Sequence, residues 1–170
     1  MLKKTMSLAL ALCLSLSLAA CAPAKPAAKT PEELKTLYTE SINAARNAED
    51  NEYLPVITSA DDQDAAMILP LMGMDKAELA TAFAVAASPM NMRAYGVAAV
   101  MPAEGKAEDV KAALQGFIDL QKQNFEQYLP DQKEIANAAK LEVLADGTVL
   151  MVMCEDQDTV FTAIKTAIEK

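Results

Sequence analysis

Apolar residues recur at intervals of three and four in several parts of the chain, which is the spacing of amphipathic helices. The first such part begins at Thr30, which can cap a helix, with Pro31 at the first helical position and Glu33 completing a capping box. It continues to about residue 47. Further helices are predicted at 65–71, at 107–129, as a short helix within 131–139, and from a start at Asp156 or Asp158.

Alternation of apolar positions predicts strands elsewhere. Residues 79–87 are ambiguous, because Asp75 and Glu78 could form a capping box and the alanines favour a helix. Yet Leu79, Phe83 and Val85 follow the period of two that is typical of a strand. Residues 94–101 show the same alternation and end at a proline, so they are predicted to pair antiparallel with 79–87.

The clearest strand pair is a hairpin formed by residues 141–145 and 149–154 around Asp146-Gly147. A two-residue turn of this type predicts that Val143 pairs with Leu150 and Leu141 with Val152. These four residues and Cys154 would then form the core face. Met151 and Met153 would point outward.

The order of these elements predicts an α+β domain: a four-stranded antiparallel sheet with helices packed mainly on one face. Residues 31–170 would form this single domain, since about 140 residues suffice for one hydrophobic core.

The first residues have the pattern of a secretory signal. Lys3 and Lys4 precede an uncharged run at 6–18, which is too short to span a bilayer. Leu18-Ala19-Ala20-Cys21 resembles the bacterial lipobox, which implies a lipidated Cys21 after removal of residues 1–20. Two acyl chains, such as palmitate, hold a protein stably on a bilayer. Residues 21–30 then form a Pro/Ala-rich spacer, and the expected location is the outer face of the cytoplasmic membrane.

Charge and composition exclude several classes of function. After the signal the chain has 13 basic and 24 acidic residues, a net charge of −11, which disfavours nucleic-acid binding. Histidine is absent, which removes the commonest general base and the usual zinc ligand sets. Cys13 leaves with the signal and Cys21 is the lipidation site, so Cys154 remains as a small apolar core residue. No cofactor is predicted.

Methionine is the most distinctive candidate for chemistry. Three Met-x-Met pairs occur in a chain without histidine, and thioether sulfur is a ligand that suits Cu(I). Methionine is also a flexible filler of irregular cores, which is the more common role. The candidate metal ligands are Met72, Met74, Met90, Met92, Met151 and Met153.

Acidic residues cluster at two predicted helix starts, in 61–64 and 155–158. Neither cluster has the ligand spacing of an EF-hand loop. We therefore interpret these residues as caps and helix-dipole partners.

The lipobox, the turn Ser88-Pro89-Met90-Asn91-Met92 between two strands, the strand at 149–155 and the helix start at Asp156 together resemble a family of small Firmicute-type lipoproteins. That family carries a domain of unknown function. The resemblance covers most of residues 31–170. It implies a strand rather than a helix at 79–87, and it implies no catalytic residue.

The leading functional hypothesis is a non-enzymatic, membrane-anchored lipoprotein that binds a small ligand or a protein partner at the membrane surface. Its contact patch would be the outward hairpin face and the 88–92 turn, comprising Met90, Met92, Val149, Met151 and Met153. A Cu(I)-binding protein is the alternative, and a carboxylate-dependent hydrolase is the third hypothesis.

Overall fold

The computed structural model describes residues 29–90 and 92–170. This part of the chain contains six α-helices, a 3-10 turn and four strands. In chain order they are α1 (Pro31–Ala45), α2 (Ala48–Tyr53), α3 (Ala65–Leu71), the 3-10 turn (Ala77–Leu79), β1 (Ala80–Ala87), β2 (Gly96–Pro102), α4 (Ala107–Phe125), α5 (Pro130–Asn137), β3 (Lys140–Val143), β4 (Val149–Met153) and α6 (Gln157–Ile168).

Helix α1 begins at the predicted capping box. The Glu33 backbone N–H donates to Thr30 Oγ1 at 3.3 Å, and the Thr30 N–H donates to Glu33 Oε2 at 2.7 Å. The helix ends earlier than predicted, because Arg46 has an extended backbone. Asn47 then caps the unpredicted helix α2 by accepting a hydrogen bond from the Asp50 N–H at 2.8 Å.

The four strands form one antiparallel sheet in the order β1-β2-β4-β3. The strand interpretation of 79–87 is confirmed, since β1 pairs with β2 along Ala80–Ala87. The α+β class and the four-stranded antiparallel sheet are therefore confirmed. The central pair, β2 with β4, joins residues about fifty positions apart, such as Val97 and Val152.

The β3–β4 hairpin lies where the sequence predicts it, but its register is different. The Gly147 N–H donates to Leu144 O at 3.0 Å and the Leu144 N–H donates to Thr148 O at 2.8 Å, so the loop is three residues long. Gly147 has a φ of 93°, which this loop requires and glycine readily adopts. Leu141 therefore pairs with Met151 and Val143 with Val149. The shift places Leu141 on the face of Met151 and leaves Val143 45% exposed, whereas Leu150, Val152 and Cys154 are buried as predicted. Met151 and Met153 are buried as well, because helices also cover their face of the sheet.

Helices cover both faces of the sheet, which corrects the prediction that they pack mainly on one. Helices α3, α4 and α5 contribute to an apolar core on the face of Val149 and Met151. Helices α1 and α6 contribute to a second core on the face of Leu150 and Val152. Every residue of β4 is consequently buried. The unbroken apolar sequence of β4 is typical of a strand buried on both faces.

Gly96 allows helix α4 to approach the sheet closely. A Cβ atom at this position would lie 2.5 Å from Cε1 of Phe117, a buried residue of α4. The ring is enclosed by the core, so it has little room to move. Gly96 is therefore a packing requirement of this face of the sheet.

We expect Gly96→Ala to lower the free energy of unfolding by about 1–3 kcal/mol, because the new methyl group overpacks the contact with Phe117. Gly116→Ala is the matched control. A Cβ there meets no atom within 4 Å, and alanine favours a helix interior by about 1 kcal/mol. Urea denaturation of both variants measures the difference, and equal effects of the two substitutions would contradict the packing role of Gly96.

Candidate functional site

A cleft of about 470 Å³ lies where β2 begins and β4 ends. Three segments form it: the junction between α1 and α2, the residues just before β2, and the turn from β4 into α6. Both arginines of the chain, Arg46 and Arg93, line this cleft. It is therefore our candidate functional site.

Arg46 lies buried in the wall of the cleft and joins the region of α1 and α2 to the residues just before β2. Its Nη1 donates to the Leu54 carbonyl at 2.9 Å and to the Tyr95 hydroxyl at 3.3 Å. Its Nε and Nη2 donate to the side-chain oxygens of Asn51 and Asn43, at 3.0 and 2.9 Å. All of these acceptors are neutral. No carboxylate among the described residues forms an ion pair with Arg46, so its positive charge contributes to the field in the cleft.

Arg93 is paired with a buried carboxylate. Its Nη1 lies 2.6 Å from Oδ1 of Asp50, whose Oδ2 accepts a hydrogen bond from the Asn47 amide at 3.0 Å. The guanidinium also lies over the Tyr95 ring, 4.7 Å from the centroid. Burial opposes the charged form of Arg93, but the contact with Asp50 and its charge outweigh this and raise the pKa of Arg93. The ion pair and the ring together fix the position of this guanidinium.

A phenol and a thiol that line the cleft are held protonated. Burial raises the pKa of the Tyr95 hydroxyl to about 12 and that of the Cys154 thiol to about 11. A thiol reacts as its thiolate, so a raised pKa makes Cys154 a poor nucleophile near neutral pH. The predicted burial of Cys154 is confirmed. What the cleft offers is a set of fixed charges and hydrogen-bond donors.

The structure separates the predicted methionine ligands into two groups. Met72, Met74, Met151 and Met153 are buried in the same apolar core cluster, where they fill space between α3, α4 and the sheet. Met90 and Met92 are on the surface, with 57% and 68% of each residue exposed. This distribution indicates core packing for the four buried residues.

The predicted contact patch is wrong for three of its five residues. Val149, Met151 and Met153 are fully buried, because α3, α4 and α5 cover the face of the sheet on which they lie. Met90 and Met92 remain on the surface. The 88–92 turn is thus the part of the patch that a partner could reach.

The acidic clusters act partly as predicted. Asp62 accepts hydrogen bonds from the Thr58 and Ser59 N–H groups, at 2.7 and 2.9 Å, and so orders the loop before α3. Asp64 and Asp156 occupy cap positions, but neither side chain makes a capping hydrogen bond. Within the described residues, no group of three or more aspartates, glutamates or cysteines is placed to hold a metal ion.

Sequence reasoning missed Arg46, Asp50, Arg93 and Tyr95. Arg46 and Arg93 are 47 positions apart in the chain, and only the β1–β2 pairing and the packing of α1 bring them together. One usable signal was that the chain has no arginine besides these two. Arginine is favoured where polar groups are bound at fixed positions, because its planar guanidinium carries five N–H donors in a fixed geometry.

The fold and the cleft define an α+β protein with a three-layer arrangement and a charged site at the end of the sheet where β2 begins and β4 ends. Residues 57–154 match the model of the protein family described as Domain of unknown function (DUF4358). This match covers more than half of the chain, so the protein belongs to that family. Comparison with curated proteins and with solved structures finds no match.

Stability should decrease at alkaline pH. Cys154, Tyr95 and Tyr38 have pKa values raised by burial to about 11, 12 and 12, from ordinary values of 9.0, 10.0 and 10.0. Above pH 9 the unfolded chain loses these protons first, so the free energy of unfolding should fall as the pH rises toward 12. Denaturant titrations at pH 8 to 11 measure the free energy of unfolding at each pH. Cys154→Ala should show a shallower decline between pH 9 and 11, and an unchanged slope would contradict the role of the buried thiol.

Replacing both Met151 and Met153 by leucine should change the free energy of unfolding by less than about 1.5 kcal/mol per site, because leucine has a similar volume. Cu(I) titration should give the same result for this variant and for the unaltered protein. Met90→Leu with Met92→Leu is the surface control. A loss of Cu(I) affinity in the core variant would contradict the packing role and favour the Cu(I) hypothesis.

Proposed function

We propose that this protein is a membrane-anchored, extracytoplasmic module that binds a small ligand in the cleft without catalysing a reaction. One observation carries the binding role. The guanidinium of Arg93 is fixed by the buried carboxylate of Asp50 and by the Tyr95 ring, and the Arg93 side chain is still 37% exposed to an incoming molecule. Such preorganised charges favour binding, because little ordering is needed when the ligand arrives.

The anchor in this proposal is Cys21, which lies outside the described residues. The lipobox-like Leu18-Ala19-Ala20-Cys21 supports it. The folded domain starts ten positions later at Pro31, which leaves a short spacer rich in proline and alanine. No helix in the described part of the chain is long and apolar enough to cross a bilayer. In this proposal the acyl chains of Cys21 hold the protein at the membrane.

The non-catalytic part of the proposal is supported by the chemistry of the cleft. Histidine is absent from the chain, and the thiol and phenol in the cleft have raised pKa values. Asp50 is engaged by Arg93. A general base has to be free and to have a pKa near the working pH; the thiol and the phenol fail the second condition and Asp50 the first. The exposed carboxylates of Glu155 and Asp156 also line the cleft, and we propose that they bind the ligand.

A protein partner would bind at the end of the molecule that holds the cleft. Met90 and Met92 are exposed and directly precede Arg93, which lines the cleft. Exposed methionine is adaptable and suits a contact surface. We propose these two residues as the point where a partner at the membrane contacts the module.

Expression of the full chain in bacteria fed an alkyne-labelled fatty acid tests the anchor. We expect label on the protein and its recovery with membranes, both lost in Cys21→Ala, because the thiol is the acceptor of the lipid. Cys13→Ala is the matched control and should keep the label. Equal labelling of Cys21→Ala and the unaltered chain would contradict the anchor.

A further inference from the structure

The Arg93 guanidinium is only partly used by the protein. Its Nη1 contacts Asp50, and one face of the group lies over Tyr95. Within the described residues, no hydrogen bond engages its Nε or Nη2. A guanidinium with free donors that lines a cleft is a binding group for a carboxylate, because its donors match the two oxygens.

Two acidic residues also line the cleft. Glu155 and Asp156 line it from the turn between β4 and α6, and both are exposed. Neither residue forms an ion pair with another described residue. Their carboxylates are therefore available to an ammonium group. The cleft lining thus presents both a cationic donor and carboxylate acceptors.

The charge of the whole protein restricts the ligand further. The chain carries a formal net charge of −9, so it repels a simple anion at long range. A ligand that places a carboxylate on Arg93 is repelled less by the net negative charge of the protein if it also carries a positive charge. The cleft lining itself carries charges of both signs, the arginines Arg46 and Arg93 and the carboxylates of Glu155 and Asp156, so a ligand that also carries both signs can pair with each.

We propose that the cleft binds a small zwitterion, with its carboxylate on Arg93 and its ammonium group at Glu155 and Asp156. This inference rests on the proposed binding function and adds the class of ligand. A free amino acid and a short peptide both carry this pair of groups. The cleft volume of about 470 Å³ lies within the range of about 300–1,000 Å³ that is typical of small-molecule sites.

Four probes test the proposal on the purified full chain by thermal melting and calorimetric titration. L-alanine and L-alanyl-L-alanine carry both charges, propionate carries only the carboxylate, and ethylamine carries only the ammonium group. We expect at least one zwitterion to raise the melting temperature, since a ligand of the folded state stabilises it, and the single-charge probes to have no effect. The zwitterion that binds with the higher affinity shows whether the site prefers a free amino acid or a peptide.

Variants locate the two ends of the ligand. Arg93→Lys keeps a positive charge beside Asp50 but loses the planar donors, so we expect about tenfold or greater loss of affinity with the fold retained. Glu155→Gln removes a carboxylate from an exposed position and should also weaken the zwitterion about tenfold. Glu52→Gln is the control, because Glu52 is exposed on α2 and does not line the cleft.

Equal binding of propionate and L-alanine would overturn the zwitterion proposal and leave the binding function intact. No effect of any of the four probes would also overturn it, while lipid labelling of Cys21 decides the membrane anchor separately. Unchanged affinity in both Arg93→Lys and Glu155→Gln would overturn the assignment of the ligand to this cleft.

Discussion

The burial of the central strands on both faces is the constraint on which the rest of the structure depends. Strands β2 and β4 lie in the middle of the sheet, and all five residues of β4 are buried. A strand enclosed in this way needs apolar side chains on both faces and a helix layer on each. The alanines of β1 and β2 keep these layers close, and Gly96 removes even the methyl group where Phe117 contacts the sheet.

Much of this arrangement could be predicted from the sequence. The capping box at Thr30 and Glu33 and the alternation in β1 depend on residues close together in the chain, and both predictions are confirmed. The hairpin register could not be predicted from Asp146-Gly147 alone. Asp146 accepts hydrogen bonds from the N–H and hydroxyl of Thr148, which favours a three-residue loop over the two-residue turn. The extra loop residue moves Leu141 and Val143 to the face of Met151. The methionines proposed as a contact surface are buried because helices also cover that face, which the prediction of one helix layer missed.

The cleft was beyond sequence reasoning for a different reason. Its parts come from the α1–α2 junction, the approach to β2 and the exit from β4, which meet only when the sheet and its second helix layer have formed. Arg46 then bonds to Leu54 and Tyr95, while Asp50 meets Arg93. The same contacts that stabilise this corner also fix the charges that a ligand would encounter, so stability and recognition share residues here.

The boundary of the family match has a consequence for the limits of the domain. The match spans residues 57–154, whereas α1 and α6, which cover Leu150 and Val152, lie outside it. A fragment limited to the matched segment would leave one apolar face of the sheet in contact with water, and such faces promote aggregation. The segment that defines the family by similarity is therefore shorter than the unit that folds. A fragment meant to stand alone has to extend from Thr30, the cap of α1, to Ile168.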